Sequence, residues 1–150
     1  MEQLISHLYQ DKQDGHWVIQ SNEEHTDNVA KLASDFADEF GMAPWGEVLG
    51  KLHDKGKESN AFQKYIRKAS GYAPDIKVPE EHRHAYVGGV IARRMYGKGI
   101  DNIFVNQIFS HHTGLHDSDE LYGEKSDLKK DIPVEIDTNV AVTELNKPSF

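Results

Sequence analysis

Six residues in this chain have the types and placing that metal chemistry needs: His25, the pair His53-Asp54, His84 and the pair His111-His112. Each sits on, or at the end of, a segment with apolar helical periodicity. An imidazole buried without a partner is costly. Several converging with one carboxylate are best explained by a metal ion, because neutral imidazole is a good ligand for borderline divalent cations. A carboxylate has two oxygens and can bridge two ions. Two ions about 3.5–4 Å apart would polarise a phosphoryl oxygen and activate water for attack on it. The chemistry these residues suggest is metal-assisted hydrolysis.

Helices must position them. Ser21-Asn22-Glu23-Glu24 has capping-box spacing, and Val29, Leu32, Ala33, Phe36, Ala37 and Phe40 follow at the spacing of one buried helical face. His25 shares that face, and Gly41 ends the helix. A second helix starts near Pro44, carries Trp45, Val48, Leu49 and Leu52, and delivers His53-Asp54 at its end. Ala61, Phe62, Tyr65, Ile66 and Ala69 mark a third, followed by a loop over 71–81. A fourth is expected over 81–96, with His84, Val87, Ile91 and Met95 on one side. A fifth begins near Asp101 and carries Ile103, Phe104, Ile108 and Phe109 ahead of His111-His112. A short helix is expected in the first twenty residues, strand signals are nearly absent, and the stretch after His116, with Pro133 and Pro148, reads as an irregular tail. The expected fold is all-α, a single helical domain over 1–150.

Not every histidine belongs to the set. His82 lies half a turn from His84 and points the other way; His84 shares the face of Val87 and Ile91 and is preferred. His116-Asp117 repeats the His-Asp dipeptide but leads into the polar Ser118-Asp119-Glu120, so it is set aside. His7 and His16 have no supporting pattern and are expected on the surface. Cysteine is absent, which excludes disulfides and thiolate ligands.

Composition sets further bounds. With 37% apolar and 28% charged residues the chain reads as a globular domain. No apolar run is long enough for a membrane span and no secretory pattern opens the chain, so a cytoplasmic location without membrane contact is expected. The net charge of −8 argues against a surface that coats nucleic acid, though bound cations would add positive charge locally. One stretch runs the other way: Lys51, Lys55, Lys57, Lys64, Arg67 and Lys68 face only Asp54 and Glu58. It is either a substrate-facing patch, with Lys57, Lys64 and Arg67 touching phosphates, or a solvated helix face.

The order His, His-Asp, His, His-His on helices resembles the HD superfamily of metal-dependent phosphohydrolases. Further blocks sharpen the likeness: Glu24-His25, Asn28-Val29-Ala30, Leu52-His53-Asp54-Lys55-Gly56-Lys57, Ser59 with Phe62-Gln63-Lys64-Tyr65, and Ser110-His111-His112-Thr113-Gly114-Leu115. Together they resemble the HD nuclease domain of the type I CRISPR-associated helicase–nuclease, over about residues 5–117. The resemblance implies an HD-domain helical bundle and a nuclease that cleaves single-stranded DNA in antiviral defence, recruited by a surveillance complex. It implies that His25, His53 and Asp54 hold one metal and His84, His111 and His112 a second, with Asp54 bridging. It implies a catalytic Asp54, and a Lys57 that meets a phosphate or developing charge. One or two divalent ions are expected, with Mn, Ni, Co, Fe or Zn favoured by the histidines and Mg also compatible. The chain departs from the family in two ways. A further Asp ligand on a later helix is not evident, since Asp117, Asp119, Asp127, Asp131 and Asp137 show no helical context, and no Gly-Lys-Ser/Thr loop of the helicase domains is present. Two alternatives stay open: a phosphohydrolase of nucleotides or small phosphate esters, and a catalytically weak metal-binding module that docks with a helicase or a surveillance complex.

Overall fold

The computed structural model describes residues 2–97, 99, 101–140 and 145. Pro148 and most of the last ten residues of the expected tail lie outside the described residues. The elements are strands β1 (Ile5–Gln10) and β2 (Trp17–Ser21), then helices α1 (Asn22–Asp38), α2 (Ala43–Leu52), α3 (Asn60–Ala69), α4 (Ala85–Tyr96), α5 (Asp101–Ser110) and α6 (Ser118–Tyr122). Two 3₁₀ turns complete the order, Lys55–Glu58 between α2 and α3 and Asp127–Lys129 after α6. No described helix is long and apolar enough to cross a membrane.

The fold is mostly helical but not all-α. In place of a short N-terminal helix, β1 and β2 form an antiparallel hairpin that pairs His7 with Gln20 and Tyr9 with Val18. The turn carries Asp14-Gly15, with Gly15 at φ +76°, where a side chain would be strained. Asp11 Oδ1 accepts from the Gln13 and Asp14 amides and closes the loop. The exposed edge of β1 is covered by a side chain rather than a third strand. Gln63 on α3 accepts from the Ile5 amide (2.9 Å) and donates to the Ile5 carbonyl (2.9 Å) and the Lys57 carbonyl (2.7 Å). This satisfies backbone groups that would otherwise be orphaned.

The core joins α2, α4 and α5 through Val48, Leu52, Val87, Ile91, Phe104, Val105 and Ile108. Trp45 stacks on Phe104 with ring centroids 5.4 Å apart. Helix α2 begins at Ala43 with Pro44 in its first turn, and α5 runs as expected from Asp101. Helix α4 is shorter than expected: residues 81–84 are not helical, and His84 is its N-cap.

Helix α1 is capped as expected, with Ser21 Oγ accepting from the Glu24 amide at 3.1 Å. Its buried face is not the expected one. Leu32, Phe36 and Phe40 are 55%, 72% and 82% exposed, while Ala30 is buried. The reason lies in α2. A Cβ at Gly50 would fall 2.3 Å from the Ala30 Cα, so the two backbones touch, and only the alanine side of α1 fits that contact. Phe36 and Phe40 are left lining an apolar groove with Trp45, Leu49 and Ile103.

The segment after His116 is irregular but packed. Leu121 and Ile136 are buried in the core. Asp117, expected outside any helix, is the N-cap of α6 and forms a capping box with Glu120.

Candidate metal centre

Each expected ligand reaches the site from an element end or an exposed turn of helix. His25 lies one turn into α1. His53 is the C-cap of α2, Asp54 precedes the Lys55–Glu58 turn, His84 starts α4, and His111-His112 follow α5. Two close approaches bring them together. The α1–α2 contact at Gly50 sets His25 against His53. A Cβ at Gly56 would lie 2.2 Å from the His84 carbonyl oxygen, so glycine there lets the turn after Asp54 sit directly on the start of α4.

The six residues form two groups that share one carboxylate: His25, His53 and Asp54, and Asp54, His84, His111 and His112. Within each group the candidate ligand atoms lie within 4.8 Å of one another. Asp54 is 3% exposed, and its oxygens divide between the groups. Oδ2 lies 3.0 Å from His25 Nε2 and 3.1 Å from His53 Nε2. Oδ1 lies 3.2 Å from His111 Nε2 and 3.5 Å from His84 Nε2.

Ring orientation supports ligation. His53 Nδ1 lies 2.7 Å from the Gly50 carbonyl, and His111 Nδ1 bonds the Ile108 carbonyl. Each Nδ1–H donates to the carbonyl three residues back, which leaves an Nε2 lone pair aimed into the site. Nitrogens then face nitrogens: His25 and His53 Nε2 are 3.3 Å apart, and His84 and His112 Nε2 are 2.9 Å apart. In the metal-free site one proton shared between the two nitrogens of each pair holds them together. Around a tetrahedral ion with bonds of about 2.0–2.1 Å, neighbouring nitrogens would sit roughly 3.3 Å apart. Asp54 Oδ1 and His111 Nε2 are both buried without a hydrogen-bond partner. Buried acceptors left in this state call for a cation. The residues therefore fit a metal ion, and the arrangement leaves its identity open.

Electrostatics agree. Burial depresses His25 and His112, and pushes His84 down to about 3. These imidazoles stay neutral, as ligands must. Burial alone would raise Asp54; in the metal-free site contacts from His111 and His53, when their Nε2 carries a proton, and the Lys57 ammonium outweigh it and hold the carboxyl far below the usual range.

The basic stretch is not a free positive face. Lys57, expected to meet substrate, is 4% exposed. Its ammonium pairs with Asp54 Oδ2 at 2.8 Å and donates to Ser6 Oγ at 3.2 Å. It neutralises the shared carboxylate from inside. Arg67 is also buried: it donates to Gln63 O, Gln63 Oε1 and Gln3 O and pairs with Glu2, so it tethers the N-terminal segment instead of facing substrate. Lys51 and Lys55 pair with Glu47 and Glu58 one turn away. Lys64 is exposed, as a substrate contact would require.

His82 stacks on Tyr65 outside the cluster, which favours His84 as expected. His7 and His16 are exposed, but His7 is not remote: its ring meets His25 edge-on with centroids 4.6 Å apart. No periodicity marks that contact, because it depends on the hairpin. Beside His84 and His112 opens a cleft of about 570 Å³, lined also by Arg83, Thr113, His116 and Glu120. Among the described residues, no aspartate but Asp54 joins these two groups. Asp117 caps α6 and Asp127 pairs with Arg83 and Lys130. No family model matches the chain, and no curated protein matches it.

Proposed function

We propose that this chain is a divalent-metal-dependent phosphodiesterase of the HD type, an enzyme that cleaves single-stranded DNA. The observation that carries the reading is Asp54, buried with one oxygen toward each histidine group. The motif blocks that resemble the CRISPR-associated HD nuclease supply the substrate and the setting in antiviral defence, with a helicase and a surveillance complex as partners. Divalent ions held there would supply Lewis acidity at a phosphoryl oxygen and acidify a water. The chain's own residues do the rest. His53 and His111 are oriented by backbone carbonyls, His25 and His84 come from neighbouring elements, and Lys57 keeps the shared carboxylate ionised from its buried side. The cleft beside His84 and His112 gives a phosphodiester access to this centre.

A second reading, hydrolysis of nucleotides or small phosphate esters, draws support from the same cleft. Its lining mixes Arg83 and Lys125 with Asp119, Glu120 and Asp127, and the internally paired lysines offer little backbone-tracking charge. A cleavage assay with Mn²⁺ or Ni²⁺ on a single-stranded oligonucleotide beside a nucleotide panel separates the two. The nuclease reading expects oligonucleotide cleavage that Asp54→Ala abolishes. Turnover of nucleotides alone would move the assignment to the second reading, and full activity in Asp54→Ala would remove both.

A further inference from the structure

His116 is a histidine that the metal groups do not use, yet it lines the cleft with His84 and His112. It is built into place. Its amide donates to Asn106 Oδ1 at 3.2 Å, and Asn106 Nδ2 donates to its carbonyl at 3.1 Å. Ser110 Oγ donates to the same Asn106 Oδ1 at 2.8 Å. Both supports lie on α5, the helix that delivers His111 and His112. His116 and those ligands are thus held by one rigid element.

The ring is held at both nitrogens. Nδ1 lies 3.2 Å from Glu120 Oε2, and Nε2 lies 3.3 Å from Thr113 Oγ1. The Thr113 hydroxyl donates to the Gly114 carbonyl at 3.2 Å, so its oxygen is left to accept. Glu120 Oε2 also accepts from the Asp117 amide at 3.0 Å, which fixes the carboxylate. A carboxylate and a hydroxyl oxygen therefore each accept an N–H, and the pair accommodates a doubly protonated imidazole. A histidine with one nitrogen on a carboxylate and the other on a hydroxyl that lines the same cleft has the parts of an acid–base catalyst.

Phosphodiester hydrolysis has a step that such a group serves. As the water oxygen bonds to phosphorus, the bond from phosphorus to the leaving sugar oxygen breaks and its electron pair stays on that oxygen. An alkoxide is a poor leaving group unless it takes up a proton. We propose that His116, oriented by Glu120, is the general acid that protonates this oxygen. The inference rests on the phosphodiesterase reading. The proton leaves Nε2, Nδ1–H stays on Glu120, and the neutral ring regains its proton from water in the open cleft.

The test uses the full chain with Mn²⁺ and two substrates. A single-stranded oligonucleotide has an alkoxide leaving group that needs a proton. Bis(p-nitrophenyl) phosphate releases a phenolate that does not. His116→Gln should depress oligonucleotide cleavage by about 10²-fold or more, the scale of general acid catalysis, and depress ester hydrolysis far less, so the ratio of the two rates shifts by roughly 10². Glu120→Gln keeps a capping-box side chain and should shift the ratio the same way by a smaller factor. Added imidazole should restore part of the oligonucleotide rate in His116→Ala. An equal fall on both substrates, or loss of bound metal in His116→Gln, would overturn the assignment. If the unmodified chain hydrolyses neither substrate, the phosphodiesterase reading fails and takes this one with it.

Discussion

Replacing Asp54 by Asn changes one oxygen to an amide nitrogen at nearly constant volume, and its effect can be worked from the contacts. In the metal-free protein, Lys57 keeps its burial but loses its anion, retaining Ser6 and at best an amide oxygen. Breaking a buried ion pair by removing one partner costs about 3–5 kcal/mol, and the remaining acceptors place this case toward the lower end. The metal-linked effect is separate. An ion that binds only the folded state at a hundred times its Kd adds about 2.7 kcal/mol. In a chain of this size each kcal/mol moves Tm by about 2–4 °C, so wild type should gain about 5–11 °C at that metal excess. In Asp54→Asn both groups lose the anionic oxygen that completes them, and the gain should vanish. Scanning calorimetry in EDTA and in Mn²⁺ or Ni²⁺ measures both effects. A variant with the same metal-induced rise as wild type would refute a centre built on this carboxylate.

Other expectations follow from the same contacts. Gly56→Ala places a Cβ against the His84 backbone, so metal affinity should fall even in folded protein, as read by metal titration; undiminished affinity would contradict the close approach. Arg67→Ala removes the tether to Gln3 and Glu2 and should destabilise by about 1–3 kcal/mol, whereas exposed Lys64→Ala should stay within about 0.5 kcal/mol; urea midpoints compare them. Acid should weaken the metal-free protein. His84 has a folded value near 3, while an unfolded histidine takes up its proton near pH 6.5. Below pH 6.5 the unfolded state therefore binds more protons, and stability falls toward pH 3, by up to about 1.4 kcal/mol per pH unit for His84. Asp54 keeps its charge in the folded state, so it adds to the fall below about pH 4, where an unfolded aspartate takes up its proton. A urea midpoint that does not move between pH 7 and 5 would oppose this.

The ligand pairs were legible because they are local. His53 and His111 each close the last turn of a helix, and each sends Nδ1–H to the carbonyl three residues back. Their placement at helix ends follows from apolar periodicity, while the carbonyl partners of their rings emerge only in the fold. The hairpin was not legible by the same route. Ser6 interrupts the apolar alternation of β1 with a buried polar residue, and Gln63, some sixty positions away, completes its hydrogen bonding. Only Asp14-Gly15 between Leu8-Tyr9 and Trp17-Val18-Ile19 marked a turn between strands. The face of α1 was misread for a related reason. Periodicity identifies an apolar stripe but not which stripe a neighbour can reach, and Gly50 admits only the alanine side.

The basic stretch shows the same division. Lys57, Lys64 and Arg67 look alike in sequence, but distance in the fold separates them. Lys57 ends beside Asp54, Arg67 against the Glu2-Gln3 segment that precedes β1, and Lys64 in solvent.

Sequence by itself determined the ligand types, the helices that carry most of them and the exclusion of thiolate chemistry, since these depend on residue identity and short-range periodicity. Tertiary structure alone decided that the two oxygens of Asp54 divide between two histidine groups. That division depends on backbone contacts at Gly50 and Gly56 between segments far apart in the chain, and no local pattern encodes the angle at which such segments meet.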